Sequence, residues 1–219
     1  MDLDQLADDL AARVAAAPGR LLVGVVGAPG SGKTTVAKKL VDRLGRRQVS
    51  AVRAPMDGFH LADVALQERG LLERKGAIET FDAHGYLALL RRIRDERDHD
   101  VLAPAFEREL EQPLAGAITV APEHRVVVTE GNYLLDDVAP WPDVRSALDL
   151  VVLVELDDDR RRSRLVERHV KFGKERAAAQ AWVDDVDEPN AQRVLARSHD
   201  KQRPEAEIAF REPCRFDAW

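Results

Sequence analysis

The stretch LLVGVVGAPGSGKTTVAKKLVDRLG, Leu21 to Gly45, changes its hydrophobic period halfway along. Leu21 to Val26 is a short apolar run of the kind a central parallel strand shows when both faces are covered. From Val36 onward Leu40, Val41 and Leu44 follow helical spacing until Gly45. Between them lies GAPGSGKT, a match to G-x-x-x-x-G-K-[ST]. Strand, glycine-rich turn and helix together open a wound α/β domain. In such a turn the glycines let successive backbone N–H groups point inward around phosphate oxygens, and the next helix directs its positive end at the same place. The pattern has Lys33 reaching the β and γ phosphates and the Thr34 hydroxyl ligating Mg²⁺. A chance match occurs in roughly 1% of chains this long, and the strand-to-helix context is the one the mechanism requires. The expected phosphate loop is Gly27-Ala28-Pro29-Gly30-Ser31-Gly32-Lys33-Thr34-Thr35.

Outward from this loop, Leu3, Leu6, Leu10 and Val14 sit at helical spacing and end at Pro18-Gly19, which predicts an amphipathic surface helix. Strands are expected at 49–56, 125–129 and 149–156, with a weaker one at 207–210. Tyr86, Leu89, Leu90 and Ile93 mark a helix starting near Thr80, and residues 101–121, with Pro104, Pro113 and Gly116, read as a hairpin excursion at the sheet edge. After Leu156 comes a helical segment dense in both charges, with its acidic residues at the positive end of the helix dipole. No repeat or low-complexity linker divides the chain, so residues 1–219 are read as a single domain.

Composition narrows the partners. The 219 residues carry 33 Lys+Arg against 39 Asp+Glu, a net charge of −6, which argues against nucleic acid because phosphate binding leaves a basic footprint. No apolar run approaches the ~18 residues that span a bilayer, so no membrane partner is expected. The acidic start, MDLDQLADDL, lacks the features of a secretory signal. The lone Cys214 allows no internal disulfide and no multi-cysteine zinc site, which fits a reducing cytoplasm.

Two carboxylates follow predicted strands. Glu130 ends the run Arg125 to Thr129 and should emerge at the carboxyl edge of the sheet, where wound α/β sheets bind ligands. It is read either as a metal-side carboxylate or as an ordinary loop acid. Asp57 follows residues 51–56 at the same edge, where a carboxylate beside a terminal phosphate can accept a hydroxyl proton. Asp-Gly is equally a common turn.

The ordered set GAPGSGKT, MDGFH (Met56 to His60), TFD (Thr80 to Asp82), VVVTEGNYLL (Val126 to Leu135) and an arginine-rich helix resembles the uridine kinase/phosphoribulokinase group. Bacterial-type pantothenate kinases and sugar-kinase-like proteins belong to that group. The resemblance runs from about Leu21 to about Phe210. It implies a three-layer α/β/α P-loop fold with a mainly parallel five-stranded sheet and a helical lid at about residues 157–176. It further implies an ATP- and Mg²⁺-dependent kinase acting on a hydroxyl of a small metabolite, with Asp57 as base and Glu130 assisting the metal beside Thr34. Arg164, Arg168 and Lys171 fall at i, i+4 and i+7, so one helical face can present three positive charges to the phosphates. A solvated, salt-bridged helix is the alternative for this segment.

Phe59, His60, Arg108 and Tyr133 are substrate-contact candidates by their place in the resembling motifs. Asn190, in DEPN, is either near the adenine or in a helix cap or turn. Uridine kinases typically carry Ser and Tyr where this chain has Gly58 and His60, and pantothenate kinases are longer, so the acceptor stays open among nucleoside, sugar, pantothenate and glycerate-like compounds. The oligomeric state stays open as well, a homo-oligomer included. The competing class is a regulatory P-loop NTPase acting on a protein partner; neither an N-K-x-D nor an L-S-G-G-Q-like motif supports it.

Overall fold

The computed structural model describes residues 2–198 and 207–211. Along the chain run α1 (Leu3–Ala16), β1 (Leu21–Val26), α2 (Lys33–Arg46), β2 (Ala51–Arg53), α3 (Asp63–Glu68), α4 (Ala83–Asp95), β3 (Val101–Glu107) and β4 (Gln112–Val120). They are followed by β5 (Val126–Gly131), α5 (Trp141–Ser146), β6 (Leu150–Glu155), α6 (Asp158–Lys171), α7 (Arg176–Trp182), α8 (Glu188–Ser198) and β7 (Glu207–Arg211). Five strands form one sheet in the order β2-β5-β1-β6-β7, and every pairing in it is parallel. The expected three-layer P-loop architecture is present, with its weakly signalled last strand included.

Alternation along the strands builds two cores. Val23, Val25, Val126, Val128 and Val152 face α1 and α2, against Leu6, Leu10, Val36, Leu40 and Leu44. Leu22, Val26, Val127, Val151 and Leu153 face α4 and α5, against Tyr86, Leu90, Ile93, Trp141 and Val144. Covering both faces is what makes near-continuous apolar strands stable in water. Each fully buried aliphatic side chain contributes about 1.5–3 kcal/mol before entropy is counted.

Several boundaries differ from the sequence expectation. The strand expected at 49–56 pairs only over Ala51–Arg53, since Pro55 has no N–H to donate and Met56 opens a 3-10 turn, Met56–Phe59. The helix expected near Thr80 begins at Ala83, because the Asp82 carboxylate accepts the Gly85 N–H at 2.8 Å and caps it there; Thr80 lies in a separate 3-10 turn. β5 runs on through Glu130 to Gly131, with Glu130 opposite Val25, so Glu130 is a strand residue and not a loop acid.

The hairpin at 101–121 forms, but not at the sheet edge. β3 and β4 make their own two-stranded antiparallel sheet, with a register shift between Ala103 and Ala105 where Pro104 cannot donate into the ladder. Pro104 instead turns its carbonyl against the Met56–Phe59 turn: a Cβ on Gly58 would lie 2.4 Å from that oxygen.

The charged segment is helical as expected. The Asp157 side chain accepts the Arg160 N–H, and Asp158 and Asp159 occupy the first turn. Beyond it, helical backbone continues from α7 through a π turn, Val183–Asp187, into α8. The widened turn accommodates Pro189, whose ring would clash in a regular helix. Asn190 therefore sits inside a continuous helix rather than at a cap or loop.

Candidate active site

The loop after β1, the turn after β2 and the end of β5 all lie at the carboxyl edge of the sheet. The connection leaving β1 runs to β2 on one side and the connection leaving its neighbour β5 runs to β6 on the other, and crevices at such a divergence take ligands in wound α/β folds.

Glycine at the loop positions is required by shape. A Cβ on Gly27 would meet the Val154 carbonyl at 2.4 Å, and Gly30 and Gly32 hold φ of +80° and +96°. Gly32 stands at the N-cap of α2 with no side-chain cap bond, so the first N–H groups of a fourteen-residue helix face the loop. The Ser31 hydroxyl is buried in this loop without a hydrogen-bond partner among the described residues. Lys33 is almost fully buried, and its Nζ donates to the Ala28 carbonyl at 3.1 Å. Burial pulls the Lys33 ammonium down to about 8; Arg168 and Arg108 push the same way, and Glu130 and Asp57 partly offset them. A buried ammonium and an unpartnered hydroxyl around a tight glycine cradle fit a phosphate group.

Thr34 Oγ1 donates to Glu130 Oε1 at 2.8 Å. Glu130 is 3% exposed, and burial raises its carboxyl above the usual range. The Asp57 charge adds to the rise, whereas Lys33, the Thr34 bond and Arg53 oppose it. One hydroxyl and one carboxylate are hard oxygen donors of the type Mg²⁺ takes alongside phosphate oxygens. No cluster of three or more His, Cys, Asp or Glu side chains suited to a metal exists among the described residues.

Asp57 sits on the 3-10 turn with 29% of its side chain exposed, and Arg108, from the β3–β4 turn, brings Nη2 to 3.4 Å from Asp57 Oδ2. The turn is seated on the end of β5, because a Cβ on Gly131 would meet the Met56 sulfur at 2.6 Å. Beneath it, Tyr86 Oη donates to Thr129 Oγ1 at 2.6 Å, and Thr129 Oγ1 donates to the Ala54 carbonyl at 2.7 Å. This chain fixes the ends of β2 and β5 together.

Arg168 projects from α6 into the same crowded space. Burial lowers its guanidinium, as does Arg108, and Asp187 and Asp57 work in the opposite direction. Arg164 instead lines an open depression with Asp159, Arg160 and Ser163, and Lys171 is exposed. Neighbouring charges on α6 do form salt bridges: Arg162 with Asp184 and Glu188, and Arg161 with Asp158 and Glu188.

Of the four substrate-contact candidates, Arg108 and His60 lie beside Asp57. The His60 ring packs at a tilt against Phe81 and Phe106, with centroids 4.0 and 4.8 Å away, and its Nδ1 is buried without a partner among the described residues. Burial lowers the imidazole to about 4, so it is neutral at pH 7. Phe59 packs on Tyr86, 5.3 Å between centroids. Tyr133 is a correction: it is 1% exposed, packs on Phe81 and Trp141, and its hydroxyl donates to the Gly76 carbonyl at 2.7 Å. Its polar end is committed to holding a loop.

Three residues escaped sequence reasoning. The Arg53 Nη1 is buried near Glu130 without a partner among the described residues. Tyr86 was legible only as one apolar face of a helix. Arg161, 1% exposed, contacts the Pro29 carbonyl at 3.5 Å and Glu188 at 2.5 Å, tying the phosphate loop to α6 and α8. Its sole sequence signal was membership of an arginine run.

Residues 23–183 match a protein family described as an AAA domain, across the phosphate loop, both carboxylates, α6 and α7. A relative from Schizosaccharomyces pombe, provisionally named a uridine kinase, is 34% identical over 162 residues, covering 70% of this chain and 68% of that one. The chain belongs to the uridine kinase-like family of P-loop kinases. A crystal structure from Silicibacter sp. TM1040, provisionally titled a fructose transport system kinase, superposes with a TM-score of 0.85 at 37% identity, covering 96% of this chain and all of that one. A Yersinia enterocolitica pantothenate kinase is 25% identical over 161 residues, 69% of this chain but only half of that protein. The chain is thus a P-loop small-molecule kinase, a phosphotransferase with an alcohol group as acceptor. Among the described residues no helix is long and apolar enough to cross a membrane.

Proposed function

We propose that this kinase transfers the γ-phosphoryl group of ATP, in the presence of Mg²⁺, to a hydroxyl of a small metabolite, with Asp57 as general base. The observation that carries the reading is convergence: Lys33 from the loop after β1, Asp57 from the turn after β2, Glu130 from β5 and Arg168 from α6 influence one another's charge in one crevice. Names of relatives that specify uridine, fructose transport and pantothenate support a small hydroxyl-bearing acceptor.

In this reading the backbone N–H groups of residues 27–35, Pro29 excepted, and the Lys33 ammonium hold the phosphates and neutralise their charge. Thr34 and Glu130 would hold Mg²⁺, which supplies further neutralisation at the phosphate oxygens. The Asp57 carboxylate takes the acceptor's hydroxyl proton as that oxygen bonds to the γ-phosphorus. The bond from the γ-phosphorus to the bridging oxygen breaks, and ADP leaves with its electron pair. Arg168 stabilises charge on the transferring group, while α6, α7 and α8 act as a lid that excludes water. The whole chain then works as one kinase domain, with residues 157–176 as the lid's leading part.

The test is Asp57→Asn, assayed by acceptor-dependent ADP release. Turnover should fall about 10²- to 10⁴-fold, with ATP affinity held within a few-fold. Unchanged turnover would remove Asp57 from the mechanism. ADP release indifferent to every acceptor would favour a nucleotide-hydrolysing switch.

A further inference from the structure

The surroundings of Asp57 discriminate among acceptors. A nucleoside is recognised through its flat base, which needs an exposed aromatic face on which to stack. Among the described residues, the aromatic rings near Asp57 are engaged with one another. His60 fills the space between Phe81 and Phe106, and Phe59 is turned toward Tyr86. The Phe106 ring is further covered by Lys75 Nζ, 5.5 Å from its centroid, and by the Arg108 guanidinium at 5.9 Å.

Charge points the same way. Lys75 is matched by Asp63 at 2.5 Å, but Arg108 has Asp57 as its ion-pair partner, through one nitrogen at 3.4 Å. Asp57 becomes neutral when it accepts the acceptor's proton, and Arg108, 40% exposed, is then released from this ion pair and free to engage another anion. An oxyanion on the acceptor would keep Arg108 matched throughout, and the guanidinium fork is the shape that binds carboxylate or phosphate through two bonds.

Resting on the kinase reading above, we propose that the acceptor is a non-aromatic hydroxyl compound carrying a carboxylate or phosphate, and that Arg108 reads this anionic group. A nucleoside lacks the anion, and among the described residues the rings near Asp57 are engaged with one another rather than offered to a base.

The experiment uses the full-length protein with ATP and Mg²⁺ and matched acceptor pairs: hydroxy acids against their primary amides, sugar phosphates against the free sugars, and uridine and cytidine alongside. The anionic member of at least one pair should exceed its neutral partner by about 10- to 100-fold in kcat/KM, and the responding pair tells carboxylate from phosphate. Arg108→Gln should raise the KM for that acceptor about tenfold or more, with the KM for ATP within about twofold, and Arg108→Lys should fall between. A nucleoside or a neutral member used as well as or better than the anions would overturn the proposal and leave the kinase reading intact. ADP release unaffected by all acceptors would overturn both.

Discussion

Gly58→Ala tests whether the hairpin positions the Asp57 turn. The Cβ would lie 2.4 Å from the Pro104 oxygen and 2.7 Å from its carbonyl carbon, where ordinary contacts begin near 3.4 Å, so the turn and the hairpin must separate by about 1 Å. Both partners are backbone, and no side-chain rotation relieves the clash. Forced shifts of this type cost about 1–3 kcal/mol, equivalent to a fall of about 2–12 °C in Tm for a chain of this size. The functional effect should be larger. Asp57 precedes Gly58 directly, Arg108 belongs to the turn of the displaced hairpin, and a 1 Å misplacement of reacting groups costs on the order of 10²-fold in rate. ATP affinity should stay within about threefold, since residues 27–35 are not touched by the shift. Acceptor-dependent turnover, nucleotide titration and thermal denaturation on the purified variant separate these effects. A Gly58→Ala protein with unaltered acceptor KM and kcat would refute the idea that hairpin and turn are in register for catalysis.

Two further outcomes follow from buried charges. His60 has its pKa lowered to about 4, below the unfolded value of 6.5, so the unfolded chain binds more protons between these values. Its contribution therefore falls as pH drops from 6.5 toward 4, and His60→Phe should flatten the loss of Tm over that window; an NMR titration of His60 with a midpoint near 6.5 would contradict this. Arg161→Met removes the contacts to Pro29, Asp158 and Glu188 and should destabilise the protein by about 2–4 kcal/mol. Limited proteolysis should then cut first within residues 158–198, and unchanged protection of that segment would show that Arg161 does not hold α6 and α8 to the loop.

Local chemistry carried much of this protein's organisation in its sequence. The switch from strand to helix period around Gly27–Gly32, the apolar runs of β5 and β6, and the Asp157 cap are decided by residues near one another in the chain, through backbone freedom, burial and capping. Glu130 was legible for the same reason: an acid at the end of an apolar parallel strand reaches the carboxyl edge of the sheet. Tertiary structure decided what depends on distant segments meeting. Tyr133 and Phe59 face the core because Phe81, Trp141 and Tyr86 arrive there from elsewhere, and Arg168 joins the site from a helix more than a hundred residues beyond Lys33. The hairpin forms its own sheet away from the sheet edge, and the Pro104 carbonyl packs on Gly58, a contact between backbones that no local pattern encodes. Periodicity is a property of neighbours along the chain. Charge pairing and steric fit are properties of neighbours in space, and they settle which of the motif residues face one another.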